Sequence, residues 1–205
     1  MTSAVYGKTL VKLMSTGLNL LTSNIKALLV DLADYGAAVT DATNATPIVC
    51  TSASHGRSNG QRILQTGIVG NTAANGVFIV ANVTTNTYEL QTIAGANVAG
   101  NGAYTSGGVL VKLDEDEFLV SVPSGARVGV SANLSSKSVN SPAGVFKAAD
   151  VTISGVTGDP TEAVVYYADV TDENDSPLIA IALANFTPNG SGATVQHSNG
   201  AFALA

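Results

Sequence analysis

Two histidines, one cysteine and a few clustered carboxylates are the side chains of this sequence to weigh first for catalysis or metal binding. His55 and His197 stand far apart, and neither has a Cys, His or carboxylate nearby at metal-ligand spacing. Ser54 adjoins His55, but adjacency in sequence does not make a nucleophile, a base and an orienting group. His55 is therefore expected to pack in, or cap, the turn before Gly56. Cys50 is alone, which excludes an intrachain disulfide and any multi-cysteine metal site, and it reads as a small buried hydrophobe. The densest late acidic group is Asp169, Asp172, Glu173 and Asp175. Oxygen-rich loops of this kind can bind calcium, so these four are the candidate metal ligands; their spacing departs from the EF-hand loop, and the competing reading is a solvated hairpin loop between Tyr167 and Pro177. Asp114 to Glu117 reads as a charged turn, since consecutive carboxylates on a strand alternate faces and do not pair for acid and base work. Gly100-Asn101-Gly102 and Gly107-Gly108 lack the following lysine and helix of a phosphate-cradling loop and suit tight turns. These residues point away from an enzyme, and no cofactor is expected.

The composition says what must position such side chains. Only 12 % of the 205 residues are charged, about half the usual ~25 %, while Gly, Thr, Asn and Val are abundant and tryptophan is absent. Thr and Val favour pleated strands, and Asn and Gly favour the positive-φ corners between them, so the chain leans to β-structure. A formal charge of −6 lacks the basic field that phosphate tracking needs, which argues against nucleic acid as a partner. Ser15, Thr16, Gly17 and Asn19 interrupt the run that a secretion signal would need. No stretch approaches the ~20 consecutive apolar residues of a spanning helix, and a soluble product without a membrane partner is expected.

Along the chain, Leu10, Leu13, Met14, Leu18 and Leu21 recur at intervals of three and four, one stripe of a short N-terminal helix whose length Gly17 limits. Ile25–Val30 reads as a buried strand and Asp31–Asp41 as a loop. Residues 42–109 then hold only three charged side chains, Arg57, Arg62 and Glu89, beside ten glycines. Strand-like runs at Pro47–Thr51, Val77–Val83 and Thr87–Leu90, broken by His55-Gly56, Asn59-Gly60, Asn75-Gly76 and Thr85-Asn86, imply a small barrel of five or six strands. Charge returns at Lys112. Further runs follow at Phe118–Val122, Ala126–Val130, Asp150–Ser154, Glu162–Ala168, Pro177–Leu183, Ala193–His197 and Ala201–Leu204, the pattern of a sandwich or barrel. The predicted class is all-β: a β-sandwich or barrel host domain (1–41 plus 110–205) with a short N-terminal helix, interrupted at a loop tip by a small β-barrel module (42–109). The expected host core is Ile25, Leu28, Val30, Val128, Val151, Ile153, Val164, Tyr166, Leu178 and Ile179, and the module's ends, Asp41 and Leu110, are expected to be near neighbours.

Several outer segments carry a resemblance. Asn24-Ile25-Lys26-Ala27-Leu28-Leu29-Val30-Asp31, Glu117-Phe118-Leu119, Pro123-Ser124-Gly125-Ala126-Arg127-Val128, Gly144–Thr152, Gly158–Tyr167, Ser176–Ala180 and Thr187-Pro188-Asn189-Gly190 are similar to a family of small, uncharacterised proteins encoded in tailed-phage structural gene clusters. They are spread along the non-inserted chain, which makes up about two thirds of the protein. Family members usually close with an aromatic-rich strand, whereas this chain ends His197-Ser198-Asn199 and then Ala201-Phe202-Ala203-Leu204-Ala205. Ala45–Val49, Ser54-His55-Gly56, Gly70–Gly76 and Gly100–Gly108 resemble small β-modules, related to a domain of ubiquitin-activating enzymes, that recur in phage virion proteins as spacers or decorations. Nothing about ubiquitin follows from that.

The resemblance implies a virion structural protein, made in the host bacterial cytoplasm and acting through protein–protein contacts. The first expectation is a head-associated role as capsid decoration, cement or short fibre, in repeated copies beside capsid, neck or tail proteins. A neck or tail adaptor or collar is the alternative within that class. A carbohydrate-binding surface module, with host surface glycan as its partner, is the alternative of another class; six Tyr, five Phe and no Trp supply few aromatic platforms for it. A glycan hydrolase would have to draw its paired carboxylates from acids already assigned to turns. The helical stripe of Leu10, Leu13, Met14 and Leu18 is the candidate docking element, and packing of that stripe on its own sheet is the competing expectation.

Overall fold

A computed structural model describes residues 3–15, 17–140, 143–158, 160–197 and 200–203; of Leu10 only the backbone is described. In chain order the elements are β1 (Ser3–Val5), α1 (Gly7–Ser15), β2 (Ile25–Val30), α2 (Leu32–Tyr35), β3 (Ala37–Ala38), β4 (Asp41–Ala42), β5 (Val49–Thr51), β6 (Arg62–Thr66), β7 (Gly76–Ala81), β8 (Thr87–Gln91) and β9 (Val109–Lys112). The rest are β10 (Arg127–Val130), β11 (Ser138–Asn140), β12 (Val145–Lys147), β13 (Val151–Ile153), β14 (Thr161–Ala168), β15 (Leu178–Phe186), β16 (Ala193–Val195) and β17 (Phe202–Ala203). The fold is all-β, with a short N-terminal helix, α1, and a single helical turn, α2. Two compact units divide it: a discontinuous one of residues 1–35 and 115–205, and a continuous one of residues 36–114.

In the discontinuous unit five antiparallel strands lie in the order β1-β15-β14-β2-β10. β2 is apolar at nearly every position because both of its faces are covered. Pleating sends Ile25, Ala27 and Leu29 to one side, where they join Val164 and Tyr166 of β14 and Phe146, Ile153, Val195 and Phe202 from two smaller sheets, β11-β12-β17 and β13-β16. Leu28, Val30 and Val165 point the other way and are equally buried; α1 packs on β15 and α2 on β14 at that level. Lys26, the polar exception in β2, reaches out to Asp169 at 2.6 Å. Of the ten expected core residues eight are buried, while Val128 and Val151 are half-buried and pack against the same cluster.

The continuous unit is one sheet in the order β3-β9-β6-β7-β8-β5-β4. Its two outermost strands are separated in sequence only by Val39 and Thr40, whose amides donate to Gly108 O and Thr51 O at 2.8 Å each. Residues 37–42 therefore form one bent strand that closes the sheet into a six-stranded barrel and leaves no open edge. Val39, Ile48, Cys50, Ile63, Val80, Tyr88, Leu90 and Leu110 fill it.

Several expectations need correction. The divisions at Ala42 and Val109 fall inside β4 and β9, because composition changes where the barrel's apolar, glycine-rich stretch begins, whereas the barrel's pairing begins earlier and ends later. Asp41 pairs with Thr51, and it is Ala37 that pairs with Leu110. Asp31–Asp41 holds a helical turn and two short strands rather than a loop. Phe118–Val122 contains a 3-10 turn, Leu119–Ser121, in place of a strand. β1, β6, β9, β11 and β12 lie outside the expected strand runs. The helix stops at Ser15, with Gly17 beyond it at φ +73°, so Leu18 and Leu21 lie outside the helical stripe. Ser198, Asn199 and Leu204, invoked for the final strand, lie outside the described residues, as does Asp159 of the Gly158–Tyr167 match.

Candidate interaction surface

The docking stripe does not face one way. On α1 the Thr9 hydroxyl, buried, lies 2.9 Å from both Leu178 O and Ile179 O and shares its proton between them. The amide of Tyr6 donates to Ile179 O at 3.1 Å, so the helix starts as an extension of the sheet's hydrogen bonding. Lys12 places Nζ 3.1 Å from Glu117 Oε1 and 4.2 Å above the Phe118 ring, a salt bridge and a cation–π contact from one side chain. With these ties set, Leu13 and Leu18 pack against the core, whereas Met14 and Val11 are 89 % and 60 % exposed. Among the described side chains of the expected stripe, Met14 is the exposed one; the side chain of Leu10 lies outside the described residues.

Lys12, Leu18, Asn24, Phe118, Val170 and Pro177 line a cleft of about 500 Å³. Val170, half exposed, also borders a second hollow shared with Val120 and the acidic loop. Among the described residues no three acids, histidines or cysteines are grouped as a metal site. Three of the four candidate ligands have carboxylates drawn to different partners. Asp169 is held by Lys26, whose hydrogen bond keeps its carboxyl below the usual range. Glu173 is held at 2.8 Å by Arg127, with the same effect. Asp172 accepts at 2.9 Å from the amide of Asn174, which lowers it as well. Asp172 O, in turn, accepts the amides of Asp175 and Ser176, closing the loop. The loop between Tyr167 and Pro177 is thus tied by its own backbone and, through Asp169 and Glu173, to Lys26 and Arg127.

The remaining reactive side chains serve the interior. His197 is fully buried; its Nδ1 sits 3.0 Å from Ala149 O, its ring meets Tyr166 edge-on, and Nε2 has no partner. His55 is 2 % exposed, its Nδ1 accepts from the amide of Arg57 at 3.1 Å, and its ring meets Tyr88 edge-on. Burial lowers the pKa of both. Neither imidazole is open to a substrate. Cys50 is buried as expected but is more than a hydrophobe: it accepts from Gln65 Nε2 at 3.3 Å, while Tyr88 Oη donates to Gln65 Oε1 at 2.5 Å. Burial pushes its thiol up to about 11, which leaves it protonated and unreactive.

The charged turn is likewise spent on internal ties. Asp114 takes the Arg62 guanidinium at 2.9 Å and the Arg62 amide at 2.8 Å, while Asp116 accepts from Tyr35 Oη, which bonds Tyr6 Oη. Around Gly100-Asn101-Gly102, the Asn101 amide donates to the buried Asn71 side chain, and Asn101 Oδ1 accepts from Ala73, so this loop is knitted to its neighbour. The sequence reading missed the Cys50-Gln65-Tyr88 and Tyr6-Tyr35-Asp116 groups. A glutamine and a tyrosine inside apolar strand runs were the available signal.

No protein-family model matches the chain, and neither does any curated protein.

Proposed function

We propose that this protein is a structural component of a tailed-phage particle, head-associated as a decoration, cement or short fibre, and that it works through protein–protein contacts. The observation that carries this reading is the set of outer segments from Asn24–Asp31 to Thr187–Gly190 that resemble phage structural-cluster proteins. Those segments supply β2, β12, most of β13 and β14, and the starts of β10 and β15, so the resemblance follows much of the framework of the discontinuous unit. The chemistry of the side chains supports the same view. Histidines sealed in cores, a protonated buried thiol and carboxylates tied to Arg62, Arg127, Lys12 and Lys26 serve architecture. Exposed Val11, Met14, Val120 and Val170 offer apolar contact area, and repeated copies turn weak contacts into firm attachment. The experiment is proteomic and structural. Purified particles should contain the chain in many copies, and a particle density map should hold the barrel and the five-stranded unit on the head; its absence from particles would refute the proposal.

A further inference from the structure

His197 stands where one strand ladder gives way to the next. β12 pairs with β17 through Val145 with Ala203 and Phe146 with Phe202, while β13 pairs with β16 from Val151 with Val195 to Ile153 with Ala193. β12 runs into β13 through Ala148, Ala149 and Asp150, and His197 is tied to that connection. Its amide donates to Asp150 Oδ1 at 2.7 Å, and its Nδ1 lies 3.0 Å from Ala149 O. Its carbonyl accepts the Gly200 amide at 3.0 Å, and the Ala201 amide then donates to Phe146 O at 2.8 Å. The placing of β17 therefore passes through this one residue.

The imidazole is sealed among rings. It meets Tyr166 edge-on, Tyr166 meets Phe202, and Phe202 stacks on Phe146. The titratable groups that face it are the Asp150 carboxyl on the connection and the Tyr166 phenol on β14; β12 and β17 present the uncharged Phe146 and Phe202. Neutral His197 fits this setting with Nδ1–H donating to Ala149 O. A second proton would sit on Nε2, which is buried and has no acceptor, as an added charge in an apolar surround. Burial accordingly holds the pKa below its ordinary value. β17 is held by two residue pairs, so lifting it disrupts far less than unfolding the five-stranded sheet.

We propose that His197 is an acid-operated latch: when it takes up a proton, β16 and β17 detach from β13 and β12 while the five-stranded sheet stays folded. Detachment brings the imidazolium to water and bares Val195, Phe202 and the Phe146 ring. The latch does not depend on the function proposed above.

The test is amide-resolved hydrogen exchange on the full chain at about pH 7.5 and about pH 5.5, corrected for intrinsic exchange, with His197 and Ala201 as reporters. Their protection should fall about threefold to tenfold in acid, ten being the limit for one proton on an ordinary imidazole over that step, while β2 and β14 keep theirs. His197→Asn keeps a donor for Ala149 O but cannot become charged, and it should lose the acid response. Asp150→Asn keeps an acceptor for the His197 amide and should retain the response, because that carboxyl is not the trigger. The parent and Asp150→Asn decide the matter even where His197→Asn does not fold. The latch is overturned if protection at His197 and Ala201 is the same at both pH values, or if β2 and β14 lose theirs in step. It is equally overturned if His197→Asn keeps the acid response or Asp150→Asn loses it.

Discussion

Ala37 pairs with Leu110 in antiparallel register, so the barrel of residues 36–114 begins and ends on neighbouring strands. In the other unit, Tyr35 Oη donates to Asp116 Oδ2 at 2.9 Å, so the chain leaves and re-enters that unit at one place as well. Two units with closed ends should fold separately. A fragment of residues 36–114 is expected to unfold cooperatively by itself. A chain in which a short Gly/Ser linker replaces residues 37–113 should keep the β-rich circular dichroism of the remainder. A disordered fragment would refute autonomy.

The entry point has its own test. A Cβ built on Gly36 would lie 2.2 Å from Val109 Cγ1 and 2.7 Å from Leu110 O, too close for any side chain. Gly36→Ala should lower barrel stability by about 1–3 kcal/mol in chemical denaturation. Gly17→Ala meets no neighbour but must hold φ +73°, so its expected cost is smaller, about 1 kcal/mol.

Inside the barrel, Tyr88→Phe removes the hydroxyl that donates to the buried Gln65 Oε1. A loss of about 1–3 kcal/mol is expected. Pairing Tyr88→Phe with Gln65→Leu, which removes that acceptor, should recover part of it in a double-mutant cycle.

Much of this was visible in the residues, for identifiable reasons. Ile25–Val30 and Glu162–Ala168 announce themselves because a strand covered on both faces is apolar throughout. The barrel stood out through its loss of charge. β6 was overlooked because Arg62 and Gln65 interrupt its pattern, and only the fold shows that Asp114 and the Cys50-Gln65-Tyr88 group account for them. β11 was invisible since all three of its residues are exposed and carry no core signal. The leucine stripe misled because spacing cannot reveal that the helix ends at Ser15, beyond which Leu18 packs against the core.

Acid should weaken the fold before the carboxylates titrate. The pKa values of His55 and His197 are depressed by burial below the ordinary 6.5, so between that value and the folded one the unfolded chain binds more protons. Stability should be level between about pH 7 and pH 8, fall as pH drops below 6.5, and fall again in alkali, where the unfolded chain ionises Cys50 and the buried tyrosines before the folded one does. His197→Asn should flatten part of that slope, leaving the share of His55. A parent with no slope between pH 7 and pH 5 would contradict the buried, neutral assignment.

The proposed attachment to a phage head through exposed apolar surface can be read out by cosedimentation of purified protein with phage heads made without it. The parent should saturate the heads at a fixed copy number. A Val11→Ser, Met14→Ser double variant, whose circular dichroism and denaturation match the parent, should bind at least tenfold more weakly. No binding of the parent at any concentration would contradict the account, and parent-like binding by the folded variant would remove α1 from it.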